Sequence, residues 1–347
     1  MKAMILDQFG DKNSFRWDDW PTPNPASDEV RIRIHAVSVN PVDYKMRRGL
    51  LDVPLPTILG RDACGVVDAI GAGVSQFAVG DSVVAMLIGP RSNGAYAQYV
   101  TTPTNYIGKK PQGFSDAEAA TLGVAGLTAF RAVTGVASIS SSEAVLITGA
   151  AGGVGSFAVP LLRLQKAAPI ITTAGSDISE QHLVETLGVD PQCVIRCTGR
   201  HVEELKQEIY HLTKGHGVST AFDFAGGEMK KLCFESIRFD GHVVSIVEES
   251  PSFNLDIWSV GSPLFQKSAS YHLVALSARS RLGATQDSAI YRHWIDEWLS
   301  LVASGKISKP KVTTIGKLTP DNLAHALTLL ESRQSKGKLV LNVEQSA

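Results

Sequence analysis

The stretch Ala144-Val-Leu-Ile-Thr-Gly-Ala-Ala-Gly-Gly-Val-Gly155 constrains this chain more than any other. Val145 to Ile147 is an apolar run that suits a buried parallel strand. It empties into a turn with glycines at 149, 152, 153 and 155, and a helical pattern follows. Glycine permits a tight turn and lets the backbone approach a diphosphate. The helix N-terminus then offers unpaired N–H groups and partial positive charge to the phosphates. A glycine cluster alone is a weak signal. The strand before it and the helix after it supply the context of a dinucleotide-binding turn.

The surrounding pattern extends that reading. From about residue 124, strand candidates at 144–149, 169–174, 193–197, 219–225, 242–247 and 271–277 alternate with helical stretches at 153–166, 179–187, 201–213 and 228–237. Such alternation predicts a doubly wound parallel sheet with helices on both faces. Pro160 inside the first helix removes one backbone hydrogen bond and should bend it. The first 122 residues have another texture. Val30-Arg-Ile-Arg-Ile34 alternates with period two, and prolines at 21, 23, 25, 41, 54 and 56 punctuate short segments. This predicts an irregular β-rich domain. After 278, helical segments at 286–304 and 320–332 lead to a last strand, Lys338 to Val343, expected to return to the first domain. The expected division is therefore 1–123 with 279–347, and 124–278.

Bulk properties narrow the function. The chain has 347 residues, 44% of them hydrophobic, enough for two ordinary domains with sizeable cores. A net charge of −1 gives no electrostatic case for nucleic acid or an anionic membrane. No window approaches a transmembrane span. Cysteines at 64, 193, 197 and 233 are too few and too scattered for a disulfide framework, which favours a cytoplasmic setting.

Several motifs now converge. Asn40-Pro-Val-Asp-Tyr-Lys45, Gly60-Arg-Asp-Ala-Cys-Gly-Val-Val67, Gly80-Asp-Ser-Val83, Gly94-Ala-Tyr-Ala-Gln-Tyr-Val100 and Gly126-Leu-Thr-Ala129 precede the glycine turn. Phe222-Asp-Phe-Ala-Gly226 and Gly241-His-Val-Val-Ser245 follow it. Their order and spacing resemble the medium-chain dehydrogenase/reductase superfamily, in particular its zinc-free quinone oxidoreductase and enone reductase branch, from residue 1 to about 343. The resemblance implies a GroES-like catalytic domain, a Rossmann domain and an active-site cleft between them. It also implies a homodimer joined edge to edge near Tyr271 to Ser277.

The resemblance bears on metal. Where zinc alcohol dehydrogenases of this superfamily place a Cys ligand, this chain has Asn40. Where they place the His of a Gly-His-Glu motif, it has Arg61. No cysteine lies near Gly123-Val-Ala-Gly126, where a third ligand is expected, and no cluster of four cysteines exists for a structural zinc. A protonated guanidinium is no zinc ligand and a carboxamide is a poor one. Without a Lewis acid, hydride is best delivered to a conjugated acceptor, a quinone or an α,β-unsaturated carbonyl, whose developing charge hydrogen bonds can stabilise.

For the reacting end the candidates are Asn40, Asp43, Tyr44 and Lys45. Asn40 would orient the acceptor or the nicotinamide amide, and Lys45 would stabilise an enolate. Competing readings are a solvated surface lysine for Lys45 and a helix N-cap for Asp43. Arg61 and Asp62 are expected to line the cleft or to pair with each other. His35, His242 and His272 read as structural, as do Cys193, Cys197 and Cys64, for which a reactive thiol near the cleft is the competing reading. For the nucleotide the candidates are Thr128, Gly149, Ala150, Ala151, Gly152, Gly153, Val154 and Gly155. They continue with Gly175, Ser176, Arg196, Ala225, Gly226, Ile246 and Val247. Thr128 read as a helix-surface threonine is the bland alternative.

The expected cofactor is NADP(H). NAD-specific folds usually end their second strand in Asp or Glu, whereas here that strand ends in Gly175-Ser176, with room for a 2′-phosphate. Asp177 is the main objection and is expected to face solvent or cap the next helix. Arg196, Lys336 or Lys338 could supply a cation. Two other functions compete: a non-catalytic NADPH-binding sensor or structural protein, and a zinc-type alcohol dehydrogenase, which the missing ligands disfavour.

Overall fold

The computed structural model describes residues 1–11, 14–89, 93–136, 139–282, 288–335 and 337–344. The chain divides into two compact units. Unit 1 comprises Met1–Leu127 with Leu276–Ala347, and unit 2 comprises Thr128–Ala275.

In chain order, unit 1 begins with strands β1 (Lys2–Leu6), β2 (Phe15–Asp19) and β3 (Glu29–Ser38), then helix α1 (Pro41–Arg47). Strands β4 (Thr57–Ile58), β5 (Asp62–Ile70), β6 (Ser82–Met86), β7 (Tyr99–Pro103) and β8 (Ile107–Lys109) follow. Helix α2 (Asp116–Ala120) and a π-helical turn, Leu122–Gly126, lead into α3 (Leu127–Thr134).

Unit 2 takes in α3 from Thr128 and runs on through β9 (Val145–Thr148), α4 (Gly155–Leu164), β10 (Ile170–Ala174), α5 (Asp177–Gln181), β11 (Val194–Arg196), α6 (Val202–Leu212) and β12 (Val218–Asp223). It ends with α7 (Glu228–Ser236), β13 (Ile237–Ser245), α8 (Pro263–Gln266) and β14 (Ser270–Leu273). The chain then returns to unit 1 with α9 (Ala278–Leu282), α10 (Ala289–Ala303), β15 (Val312–Lys317), α11 (Pro320–Glu331) and β16 (Lys338–Asn342).

Unit 1 is built on a seven-stranded sheet, β15-β16-β3-β5-β6-β8, with β7 also on β3, beside a three-stranded sheet, β2-β1-β4. Its long strand β3 shows why the period-two pattern matters. Val30, Ile32 and Ile34 are buried in the core, while Arg31, Arg33 and His35 alternate with them at half-buried positions. The outward groups find partners: Arg31 pairs with Asp68 at 2.6 Å and His35 with Asp116 at 2.9 Å. Strand β16 joins β3 antiparallel, with Val340 opposite Ser38. In α10 the buried positions Tyr291, Ile295, Trp298, Leu299 and Val302 recur at helical spacing. The Trp298 indole N–H donates to the Leu122 carbonyl at 2.8 Å.

Unit 2 is a six-stranded, all-parallel sheet in the order β11-β10-β9-β12-β13-β14. Strand order reverses between β9 and β12, so the carboxyl ends of those two strands form the place where such sheets bind ligands. All four residues of β9 and all six of β12 are buried, as a central parallel strand covered on both faces requires. Pro160 lies inside α4, which nevertheless runs to Leu164. Strand β13 starts at Ile237, earlier than its hydrophobic pattern suggests. Its first residue pairs with Val218 across a register shift, and Asp240 takes a left-handed φ of 55°.

Candidate functional site

In unit 2 the site is made mainly of backbone. Strand β9 ends at Thr148, and Gly149 turns the chain with φ of 72°, a value that favours glycine. A Cβ at Gly149 would lie 3.0 Å from the Phe224 carbonyl group, and one at Gly155 only 2.4 Å from the Ala150 backbone. The first glycine therefore lets β9 close against the end of β12, and the second lets α4 start directly over the turn. Ala150 and Ala151 are buried, whereas Gly152, Gly153 and Val154 are partly exposed at the entrance to α4. Ser156 is anchored by donation from its hydroxyl to the Gly152 carbonyl at 2.8 Å. The shape is a cradle of small residues that any side chain at 149 or 155 would fill, and it fits a diphosphate.

The neighbouring strand ends complete it. Asp223, the last residue of β12, is fully buried. Its Oδ1 accepts from the Gly226 and Ala225 amides at 2.7 and 3.2 Å, and its Oδ2 from the Ser245 hydroxyl at 2.7 Å. Ile246 and Val247, half-buried, follow β13 directly. Thr128 is buried near the start of α3 rather than lying on a helix surface. Gly175 is open on its side-chain side, and Ser176 caps α5 by accepting from the Ser179 amide at 3.2 Å. Asp177 is therefore not the cap. It is exposed and pairs with Arg196 at 2.7 Å, and Glu180 also reaches Arg196 at 3.1 Å. Arg196 thus carries two carboxylate partners.

In unit 1 the site is a buried polar knot. The Lys338 ammonium donates to the Asn40 Oδ1 at 2.7 Å and to the Val39 carbonyl at 3.2 Å, and lies 3.6 Å from Asp62. Asp62 accepts from the Ser38 hydroxyl at 2.7 Å, the Asn40 Nδ2 at 2.8 Å and the Val124 amide at 2.7 Å. Gly123 makes the last contact possible, since a Cβ there would sit 2.2 Å from the Asp62 Oδ1. Burial pushes the Lys338 ammonium below its usual range, and Asp62 opposes that.

One turn away, Asn40 serves as N-cap residue of α1, and its amide donates to the Asp43 Oδ2 at 2.8 Å. The Tyr96 hydroxyl donates to the same oxygen at 2.7 Å. Burial raises the Asp43 carboxyl to about 6, against the pull of the Tyr96 and Asn40 donors and of the Arg61 charge. Burial likewise pushes the Tyr96 hydroxyl well up, with the Asp43 charge adding to it.

This geometry corrects four sequence expectations. Asn40 is not held free for an acceptor, because its Oδ1 and one Nδ2 hydrogen are committed within the knot. Asp43 is the third residue of α1 and not its N-cap. Arg61 and Asp62 do not pair: adjacent side chains leave an extended chain on opposite sides. Arg61 donates instead to the Leu87 carbonyl at 2.7 Å and to the Met46 sulfur at 3.4 Å. Lys338 is buried in unit 1 with its ammonium committed to Asn40 and the Val39 carbonyl, so it is not free to hold a phosphate, while Lys336 lies outside the described residues. Tyr44 is half-buried against the unit 1 core, and Lys45 is half-buried beside it on α1.

Sequence reasoning missed Tyr96, the partnership of Lys338 with Asn40 and Asp62, Asp223, Lys230 and Glu249. The motif Gly94-Ala-Tyr-Ala-Gln-Tyr-Val100 did signal the first, as a polar group inside an otherwise apolar segment. The cysteines are structural in setting. Burial raises the Cys64 thiol, and Cys197 donates to the Ala174 carbonyl at 3.3 Å. His242 and His272 lie 3.2 Å apart on adjacent strands.

Among the described residues, no group of three or more His, Cys, Asp or Glu side chains comes together as a metal site. The donors at the place the resemblance marks for zinc are a carboxamide whose oxygen already holds an ammonium, a guanidinium and a glycine backbone. That set does not fit a catalytic zinc. No helix among the described residues is long and apolar enough to cross a membrane.

The model of the alcohol dehydrogenase GroES-like domain matches residues 26–112. The chain is 30% identical over 343 residues to a phenolphthiocerol/phthiocerol polyketide synthase of Mycobacterium tuberculosis, covering 98% of itself but only 15% of that much longer relative. It is 28% identical to a zinc-type alcohol dehydrogenase-like protein of Staphylococcus epidermidis, covering 97% of each. Among solved structures it is similar to Escherichia coli quinone oxidoreductase complexed with NADPH, at 25% identity and a TM-score of 0.83, covering 99% of this chain and 100% of that one. The parallel sheet with its glycine cradle, the GroES-like unit and these likenesses give the chain the fold of the quinone oxidoreductases of the medium-chain dehydrogenase/reductase superfamily.

Proposed function

We propose that the protein is an NADPH-dependent, zinc-independent oxidoreductase that delivers hydride to a quinone or an α,β-unsaturated carbonyl. The glycine cradle at the strand-order reversal of unit 2 carries the reading, because small residues before a helix N-terminus suit a diphosphate. The NADPH complex of the E. coli quinone oxidoreductase supports the choice of cofactor. So does the Ala174-Gly175-Ser176 end of β10, where no carboxylate stands to accept from a ribose 2′-hydroxyl.

In this reading Gly149 to Gly155 hold the diphosphate and Gly175 and Ser176 border the adenosine ribose. Thr128, Ala225, Gly226, Ile246 and Val247 border the nicotinamide half. When bound, the dinucleotide supplies the hydride. Lys45 provides positive charge for the oxygen that gathers electron density, with Tyr44 beside it. Asn40 and Asp43 act at one remove, by fixing the N-terminus of the helix that carries both. The unit 1 knot replaces metal-centred order with an internal ammonium.

The test is NADPH oxidation followed at 340 nm against quinones, alkenals, enones and simple ketones, with a chelator present throughout. Turnover of conjugated acceptors, unchanged by chelation, is expected. Turnover of simple ketones alone, lost with chelator and restored by zinc, would replace this reading with an alcohol dehydrogenase. Tight NADPH binding with no turnover of any acceptor would leave a sensor.

A further inference from the structure

Lys230 is almost fully buried on the first turn of α7, a position where an exposed amphipathic helix normally keeps a lysine in water. Its ammonium donates to the Val247 carbonyl at 2.7 Å and pairs with Glu249 at 3.0 Å, with the Asp223 carboxylate 3.7 Å away. Glu249 in turn accepts from the Gly227 amide at 2.9 Å. Gly226 and Gly227 both have positive φ, and a Cβ on Gly226 would strike the Val247 and Glu249 side chains at 2.8 and 2.9 Å. The Phe253 ring covers the ammonium, its centroid 5.9 Å away. Every bond of Lys230 and Glu249 named here runs between the loop after β12, the first turn of α7 and the loop after β13.

We infer that Lys230 and Glu249 form a latch that holds the two loops, 225–227 and 246–249, in the conformation that receives the nicotinamide half of the dinucleotide. Lys230 is a positioning residue in this role, acting through the backbone of both loops. Burying an ammonium and a carboxylate costs desolvation that an apolar pair would not incur. Here the charged pair sits where two backbone groups, the Gly227 amide and the Val247 carbonyl, need partners at strand ends that must stay open to a ligand. The inference rests on the dinucleotide reading of unit 2.

The experiment uses the full chain and two readouts. NADPH dissociation constants come from nicotinamide fluorescence, and amide hydrogen exchange is measured on the ligand-free protein. Lys230→Met should weaken NADPH by about tenfold or more and Glu249→Gln by about three- to tenfold, as loss of a supporting contact does elsewhere. Lys231→Met is the control: that ammonium pairs with Glu228 at 2.7 Å and shares the Phe253 ring at 5.5 Å but bonds to neither 225–227 nor 246–249, so the variant's affinity should stay within about twofold of the parent. In both latch variants the Gly226, Gly227 and Val247 amides should exchange at least about tenfold faster, with the 149–155 turn unchanged.

Unchanged affinity in Lys230→Met, or an equal loss in Lys231→Met, overturns the latch. If Lys230→Met does not fold, Glu249→Gln decides on the same terms. If the parent chain binds no dinucleotide, the proposed function fails on its own. The latch then stands or falls on the exchange rates, and unchanged loop exchange overturns it.

Discussion

The two candidate sites are made of different material. The cradle in unit 2 consists of backbone turned by glycines, with its side-chain supports one step behind. The knot in unit 1 consists of buried side chains, Ser38, Asn40, Asp62 and Lys338, the last of them 298 positions from Asn40. A backbone site has no groups to titrate and fails when anything is added to it. A buried polar knot fails when anything is taken away, because each member leaves a partner unsatisfied. The two regions should therefore respond in opposite ways to substitution, and that contrast can be broken.

The largest effect is expected from addition to the cradle. Gly155→Val places carbon within 2.4 Å of the Ala150 backbone, which has no flexible side chain to yield. Overpacking of this kind costs about 1–3 kcal/mol or more. Any folded product should bind NADPH at least about a hundredfold more weakly, since α4 can no longer start over the turn. A variant that binds normally would show that the cradle is not the diphosphate site.

Removal from the knot comes next. Lys338→Met strands the Asp62 carboxylate and the Asn40 oxygen in the core, at a cost of about 3–5 kcal/mol. Chemical denaturation should show that loss. Adding Asp62→Asn should recover part of it, because the uncompensated charge goes too. Equal stability of Lys338→Met and the parent would mean that the ammonium contributes nothing net.

Lys45→Met tests the other face of unit 1. It should lower kcat for the best conjugated acceptor by about ten- to a thousandfold while leaving the NADPH dissociation constant unchanged. An unchanged kcat removes Lys45 from the reaction. The effect belongs to the transition state alone, unlike that of any knot residue.

These two materials also explain what could be read from the sequence. The cradle was legible because glycines contiguous in the chain, between an apolar strand and a helix, act locally. The parallel sheet of unit 2 followed from alternation, and β3 of unit 1 from its period of two. The knot was not legible. Lys338 stands in a strand that reads as apolar, and nothing in its neighbourhood says that the end of the chain lies beside residue 40. Asp43 was visible as a helix-start residue, but its partner Tyr96 lies 53 positions away. Lys230 lies in the predicted helical stretch 228–237, where nothing in the sequence marks it for burial, since burial of a charge depends on loops whose course only tertiary structure sets.

A smaller effect is expected from pH. The Asp43 carboxyl is raised from 3.8 to about 6, chiefly by burial. A carboxyl that is harder to ionise when folded lends stability that is fully present below pH about 4 and is lost as pH rises through about 6. The parent should therefore lose on the order of 3 kcal/mol across that window. Asp43→Asn cannot ionise, and its stability should be flatter over the same range. Parallel curves for the two proteins would show that Asp43 does not titrate there.

The smallest effect concerns Arg196, an exposed charge beside the end of β10. The sequence offers it as a cation for the 2′-phosphate, and the structure gives it Asp177 and Glu180 as partners at 2.7 and 3.1 Å. All three groups are substantially exposed, so each pair is worth little and is screened by salt. A phosphate must compete with those carboxylates for the same guanidinium. Arg196→Ala should accordingly weaken NADPH by no more than about three- to tenfold and leave NADH almost unchanged. Glu180→Gln should act in the other direction, tightening NADPH by about twofold, because it frees the guanidinium and removes a repelling charge. Both shifts should shrink at high salt. The ratio of the two nucleotide dissociation constants is the measurement, taken for parent, Arg196→Ala and Glu180→Gln at low and high ionic strength. A ratio that does not move in either variant would place the 2′-phosphate away from Arg196. The cofactor preference would then rest, like the rest of the cradle, on the backbone and the small residues at 174–176.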